Sequence, residues 1–363
     1  MAKTFKFKLY PSKSQKTKLN QHLEICRVVY NKTLEVRKLT YENEGKSLSL
    51  YDTNKMLKDW KQEITGLDSV YAQVLQQVQE RVHLGMVSFF TRCKLGDKPG
   101  YPRFKSKDRY DSFTYKQNGF NLEENKLQLS KIGKIKIKKH REIQGKIKRL
   151  TIQKTSTNEW FANFICETEP NIQLKLENEI GIDLGLKTFA VLSDETTIEN
   201  PRFYQKEIEE LAKVQQKFSK DKNNKNKLVV FKVHKRIKNK RDNFLHQESH
   251  KLITNYQIIV MEDLDVKNMR QNNYKSINRG IQDTGWRIFI NMMSYKAEEA
   301  GRNFILVNAK NTTQMCSNCE SIVFKELGER IHSCPHCGLI MDRDLNAAKN
   351  ILRLGIQSLK LLH

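Results

Sequence analysis

The sequence predicts a multidomain α+β protein. Three observations carry this. An opening strand pattern and a later set of short strands flank a long helical block. A second region then mixes apolar strands with amphipathic helices. Four cysteines in two CxxC pairs mark a small separate module near the end of the chain. At 363 residues there is room for two or three domains.

The opening "KTFKFKLYP" has period two. Phe5, Phe7 and Leu9 share one face, Lys6 and Lys8 the other, and Pro11 ends the strand. From Ser12 to about Cys93 apolar residues recur at three and four (Leu19, Leu23, Cys26, Val29, Tyr30, Leu34, then Val70, Val74, Val78), which predicts helices. "LYDTNKMLKDWKQE" between them reads as a shorter helix. Gly96, Pro99, Gly100 and Pro102 punctuate a loop in which Tyr101, Arg103, Phe104, Lys105, Lys107, Arg109 and Tyr110 interleave rings with cations, a texture suited to phosphate contacts beside stacked bases. Residues 120–170 read as short strands, with nine Lys and Arg between 131 and 149 around Ile132, Ile135 and Ile137. Two strand segments around a helical block suggest a small β-barrel with helices inserted into it.

"NEIGIDLGLKTFAVLSD" reads as a hairpin in a buried sheet. Residues 205–255 are one long basic helix, or a helical hairpin broken near "KDKNNKNK". "YQIIVMEDLD" and "RNFILVN" are strands around a helix closed by Gly301, and "DLNAAKNILRLG" is a last helix closed by Gly355.

Charge narrows the function. Sixty-five Lys and Arg against 41 Asp and Glu give 65 − 41 = +24, which points to a polyanionic partner, nucleic acid above all. An anionic membrane is the rival, but no apolar run approaches the roughly 20 residues of a spanning helix. The N-terminus lacks the apolar core of a signal peptide, so a reduced, intracellular setting is expected. Cys26, Cys93 and Cys166 are then expected to be buried free thiols.

Cys316-x2-Cys319 and Cys334-x2-Cys337, 14 residues apart, have the spacing of two knuckles around one tetrahedral zinc. Four thiolates leave no open position, so the zinc is expected to be structural. His332 and His336 are expected as exposed loop residues. The acids look chemical. Asp183 lies in "GIDLG", Glu262 ends "IIVME", and Asp344 opens the last helix, at intervals of 79 and 82 residues. Taken singly they also fit plainer roles: a turn residue, a strand-end charge, a helix N-cap. Gathered at one sheet edge they would repel unless divalent cations neutralised them, and two Mg²⁺ there would serve phosphodiester hydrolysis. Asp263, Asp265 and Asp342 are the nearest rivals for these positions.

"GIDLGLKTFAVLSD", "IIVMEDLDVKNM" and "NTTQMCSNCE…CPHCGLIMDRDLNAAKNIL", with "KFKLYPSKSQKTKLNQHLEICRVVYNKTL" and "PGYPRFKSKDRYDSFTY" upstream, resemble the TnpB (OrfB) family of transposon-encoded proteins along nearly the whole chain. The resemblance implies an RNase H-like (RuvC) nuclease domain with an inserted zinc ribbon, preceded by a β-barrel wedge domain with an inserted helical recognition domain. The divisions would be a wedge strand at 1–11, recognition helices at 12–95, the wedge barrel at 96–172, nuclease parts at 173–314 and 339–363, and the ribbon at 315–338. It implies an RNA-guided DNA endonuclease related to type V CRISPR effectors. Asp183, Glu262 and Asp344 would be catalytic and would hold two Mg²⁺, with Mn²⁺ an alternative, while Cys316, Cys319, Cys334 and Cys337 would hold one Zn²⁺. The implied partners are a guide RNA from the transposon end and double-stranded target DNA beside a short motif, with no membrane. The setting would be the prokaryotic cytoplasm, at the nucleoid when DNA is bound. "TTQMC" stands where "TSQ-x-C" is commoner, and Glu320 where a glycine is usual. The ribbon would brace the segment that delivers Asp344. Two other activities remain open: a guided DNA-binding repressor without cleavage, and an unguided structure-selective nuclease.

Overall fold

A computed structural model describes residues 1–271, 274–308, 310–326 and 328–361. The chain divides into two compact units, Met1–Glu169 and Pro170–His363.

In the first unit, β1 (Ala2–Tyr10) leads into three helices, α1 (Lys13–Glu44), α2 (Leu50–Glu63) and α3 (Ala72–Lys94). Six strands follow: β2 (Ser112–Lys116), β3 (Phe120–Glu123), β4 (Lys126–Leu129), β5 (Gly133–Lys138), β6 (Lys146–Lys154) and β7 (Trp160–Glu167). Alternation in β1 buries Phe5, Phe7 and Leu9, and the strand lies centrally, antiparallel to both β7 and β5. Behind Pro11, a capping box of Ser12 and Gln15 starts α1, and Gly45 ends it in a left-handed conformation. The sheet runs β2-β6-β7-β1-β5-β4-β3. Its two edges, β2 and β3, are joined by only residues 117–119, and Tyr115 packs on Phe120 with ring centres 6.4 Å apart. The sheet therefore curls until its edges meet. The helices share one apolar core with it.

Cys26 and Cys166 are buried in that core, but Cys93 is exposed, contrary to expectation. It lies on the last turns of α3, beyond Met86, the final buried residue of that helix.

The second unit contains β8 (Glu179–Leu184), β9 (Thr188–Leu192), β10 (Thr197–Glu199), α4 (Phe203–Lys206), α5 (Ile208–Lys220), α6 (Asn224–Asn255), β11 (Ile258–Glu262), α7 (Val266–Gln271), α8 (Lys275–Thr284), α9 (Trp286–Ala300), β12 (Asn303–Val307), β13 (Ile331–Ser333), β14 (Ile340–Asp342) and α10 (Arg343–Lys360). Residues 205–255 are thus broken between Lys220 and Asn224, where Asn223 caps α6 by accepting from the Asn226 N–H. The five-stranded sheet runs β10-β9-β8-β11-β12. β8, β11 and β12 are parallel; β9 pairs antiparallel with β8, and β10 antiparallel with β9. α9 and α6 cover one face through Phe289, Met293, Leu245 and Leu252. α10 lies against β8 and β11.

That last contact requires glycine twice. A Cβ on Gly181 would stand 2.2 Å from the Ala348 carbonyl oxygen, and one on Gly355 2.4 Å from the Val260 methyls. Their absence lets α10 cross β8 and β11 at close range, with its N-terminus near the C-terminal end of β8.

Candidate active site and metal centre

Asp183 and Glu262 stand side by side. β8 and β11 are parallel with Ile182 opposite Met261, so the next residue of each strand, Asp183 and Glu262, falls on the opposite face from that apolar pair. Gly181, two residues before Asp183, shares its face and touches α10 at Ala348. Two strand residues span roughly 7 Å. Four helix residues, from Ala348 back to Asp344, span about 6 Å. The charge of Asp344 bears on Asp183, which places the N-terminus of α10 near that carboxyl.

The electrostatics agree. Asp183 is 9% exposed and Glu262 6%. Burial pushes the Asp183 carboxyl well above its usual range, and the charges of Glu262 and Asp344 push it further, against the opposing pull of Arg343. Burial also raises Glu262, offset in part by the Thr312 hydroxyl, which donates to Glu262 Oε1 at 2.6 Å. Asp344, in the first turn of α10, is held by Arg343 at 3.2 Å and Arg330 at 3.3 Å. Buried oxygen ligands that repel one another suit a hard divalent cation.

The rival acids have other employment. Asp342 is exposed and caps α10, accepting from the N–H groups of Asp344 and Leu345. Asp263 is exposed and faces Arg287 at 3.9 Å. Asp265 accepts from the Asn268 N–H at the start of α7.

The four cysteine sulfurs all lie within 4.8 Å of one another. Cys316 and Cys337 are 3.6 Å apart, and Cys319 and Cys334 3.5 Å. A tetrahedron with Zn–S bonds of about 2.3 Å has edges of about 3.8 Å, so the thiols fit zinc. The Ser321 hydroxyl and amide lower the Cys319 thiol to about 6, and Asn318 lowers Cys337. Among the described residues this is the one such set of three or more ligands; Asp183, Glu262 and Asp344 are not all gathered to that distance.

His332 is buried rather than exposed, a correction to the sequence expectation. Alternation in β13 turns it inward, away from Ile331 and Ser333, and its Nδ1 meets Lys325 Nζ. His336 is exposed.

The ribbon is tied to α10 by two buried asparagines that sequence reasoning passed over. Asn346 accepts from the Ser317 N–H at 2.9 Å and donates to the Met315 carbonyl at 2.7 Å. Asn350 donates to the carbonyls of Thr312 and Met315. Thr312 therefore links Glu262 to α10 and to the first knuckle. Its signal was present in "NTTQMC", but only the folded chain shows which acid it serves.

A family model for OrfB IS605, described as "Probable transposase", matches residues 163–273. A "Helix-turn-helix domain" model of the same family matches 1–46, where the structure has β1 and one uninterrupted helix. A "Cas12f1-like, TNB domain" model matches 286–351. The chain belongs to the TnpB (OrfB) family. Among TnpB relatives, it is 29% identical to "Putative RNA-guided DNA endonuclease" of Streptomyces pristinaespiralis, across 98% of this chain and 89% of that protein. It is 28% identical to "Putative RNA-guided DNA endonuclease InsQ" of Escherichia coli K12, across 97% and 92%. The solved structure of the mini-RNA-guided endonuclease CRISPR-Cas_phi3 shares the fold, with a TM-score of 0.52 and 11% identity over 98% of this chain and 92% of that one.

The basic surfaces of this TnpB chain are uneven. On α6, Arg236 and Lys240 pair with Glu207, and Arg236 also with Glu210, so α5 and its approach neutralise part of that helix. In the 101–110 loop, Tyr110 is buried, whereas Tyr101 and Phe104 are exposed. Arg27 and Asn31 hold the loop to α1 through the Lys105 carbonyl. No helix is long and apolar enough to cross a membrane among the described residues.

Proposed function

We propose that this chain is an RNA-guided DNA endonuclease encoded by a transposon. Its nuclease site is formed by Asp183, Glu262 and Asp344. The carrying observation is geometric: Asp183 and Glu262 are buried at the ends of paired parallel strands, with the Asp344 charge close enough to bear on Asp183, an edge suited to receive positive charge. The names of the Streptomyces and Escherichia relatives support the guided activity, and the sheet order, three antiparallel strands followed by two parallel ones, supports a RuvC-like domain.

On this reading residues 1–11 and 96–172 form the wedge domain, 12–95 the recognition helices, 173–314 and 339–363 the nuclease, and 315–338 the ribbon. Asp183, Glu262 and Asp344 hold two Mg²⁺, and the four cysteines one Zn²⁺. When bound, the Mg²⁺ pair supplies activation of the attacking water and stabilisation of the leaving oxygen. The protein's own part is positional. Thr312 orients Glu262, Asp342 caps the helix that presents Asp344, and the ribbon fixes that helix through Asn346 and Asn350. Pairing between guide and target would set sequence specificity, with basic side chains holding the duplex by its backbone.

The test is to purify the chain with its copurifying RNA, sequence that RNA, and challenge the complex with matching double-stranded DNA in Mg²⁺. Cleavage that follows the RNA sequence and disappears in Asp183→Ala supports the proposal. Binding without cleavage in the wild type would overturn it in favour of the repressor.

A further inference from the structure

Two cavities flank the turn that joins β8 to β9. The Gly185 N–H closes this turn on the Phe189 carbonyl at 3.1 Å, just past Asp183. On one side a cavity of about 220 Å³ reaches Asp344 and is lined by Lys187, Thr188, Arg330 and Asp342. On the other a cavity of about 340 Å³ is lined by Leu186, Asn200, Arg202, Ser276, Arg279 and Asp283. The first belongs to the acid cluster. The second has no part in the site described above.

We propose that Arg202 and Arg279 form a phosphate subsite in this second cavity that holds the DNA strand to be cut, so that the strand crosses the 185–188 turn toward the acids. This rests on the nuclease reading and names a contact that reading does not supply.

Both arginines line one concavity, and among the described residues neither has a carboxylate partner within ion-pair distance. Elsewhere in the unit Arg236, Arg330, Arg343 and Arg353 are paired with carboxylates, and Arg241 and Arg302 donate to backbone carbonyls. Planar guanidinium forks suit phosphate oxygens, and the Ser276 hydroxyl adds a donor. The two arginines are also held in place. Arg202 adopts φ 49°, an uncommon backbone for a side chain of that size. Asn200 enforces it, accepting from the Arg202 N–H at 3.1 Å while donating to the Leu186 carbonyl at 2.7 Å. That pair of bonds ties Arg202 to the turn itself. Asp283 lies one helical turn beyond Arg279 and accepts from the Tyr204 N–H at 2.9 Å, which pins α8 to α4 and so Arg279 near Arg202. The Asp283 charge opposes an anion, but two guanidinium groups outnumber it, with Arg241 acting on it as well. Leu186 lines the same cavity and offers apolar surface for a sugar or base. Phosphates held by Arg202 and Arg279 on one side, with Lys187 on the other, would lay the strand across the turn beside Asp183.

The test uses full-length protein with Arg202→Ala and Arg279→Ala together, and Lys at both positions as the conservative control. The first readout is the salt dependence of binding to a fluorescein-labelled oligo-dT. Each phosphate contact on a single strand contributes a slope of about −0.7 in log affinity against log salt. The alanine pair should flatten the slope by roughly 0.7 to 1.4, for one or two contacts, and the lysine pair should restore it. The second readout is single-turnover cleavage of guided target: the alanine pair should slow it at least about tenfold while target binding stays within about twofold. An unchanged salt slope overturns the subsite. A flattened slope with wild-type cleavage overturns its role in holding the cut strand. If the wild type itself does not cut, the nuclease reading fails, and the oligonucleotide slope still decides whether the subsite exists.

Discussion

Asp183 stands where its charge is least favoured, buried and beside two other carboxylates. The linkage has a definite sign. A carboxyl whose folded pKa is raised favours the fold below its unfolded pKa, and that contribution is lost as pH rises through the folded value. Asp183→Asn should therefore melt higher than wild type near neutral pH in Mg²⁺-free buffer, with the difference closing below about pH 4, while cleavage is abolished. Thermal melts across pH check this; equal melting temperatures at pH 7.5 would contradict it. Thr312→Val removes the donor to Glu262. Outer partners of metal ligands are typically worth 10–100-fold, so guided cleavage should fall by about that much at saturating Mg²⁺, with the Mg²⁺ requirement raised. At this scale the sequence was partly legible. Asp183 and Glu262 were visible as charges within or at the end of apolar strands and Asp344 as a charge at a helix start, although each alone also fitted a turn, a strand end or a cap. Arg330, Arg343, Thr312 and the two asparagines were not, because their roles depend on which distant segments meet.

α10 shows how an element carries a residue to its place. Its apolar face was readable from period, but its end was not: Gly355 looks like a stop, yet the helix runs through it to Lys360, because the glycine serves the crossing with β11 instead. What fixes α10 is a pair of glycines, one on β8 and one within the helix itself, that allow close crossing. Gly181→Ala places a methyl against backbone that has nowhere to move. The cost should be about 1–3 kcal/mol, the range for overpacked sites, with cleavage reduced beyond the loss of stability because Asp344 is displaced. Urea unfolding beside cleavage rates separates the two effects. The α5–α6 break illustrates the opposite limit. A charged helical pattern continues through residues 205–255, so one helix and a hairpin looked alike; the Asn223 cap decided for the hairpin. His332 was misjudged for a related reason: two three-residue strands give too short a pattern to show which side chains turn inward.

In the whole molecule, the three acids depend on a ribbon that, among the described residues, bonds to them only through Arg330. The ribbon's metal should therefore be required indirectly. Native mass spectrometry should find one zinc per chain. Cys334→Ser should lose it, lower the thermal stability of the second unit, and abolish cleavage although Asp183, Glu262 and Asp344 are intact. Full zinc loss with wild-type cleavage would contradict that dependence. The division into a helix-and-strand half followed by a mixed α/β half was readable from texture. The strand orders were not, since pairing between segments up to 167 residues apart leaves no local trace. The proposed nuclease requires Asp183, Glu262 and Asp344 to converge on shared divalent cations. Anomalous diffraction from crystals of the full chain soaked in Mn²⁺ tests it most directly. The account predicts Mn²⁺ peaks touching Asp183 together with Glu262 and Asp344, with Asp344 released from Arg330; saturating Mn²⁺ that leaves this edge without a peak would contradict it.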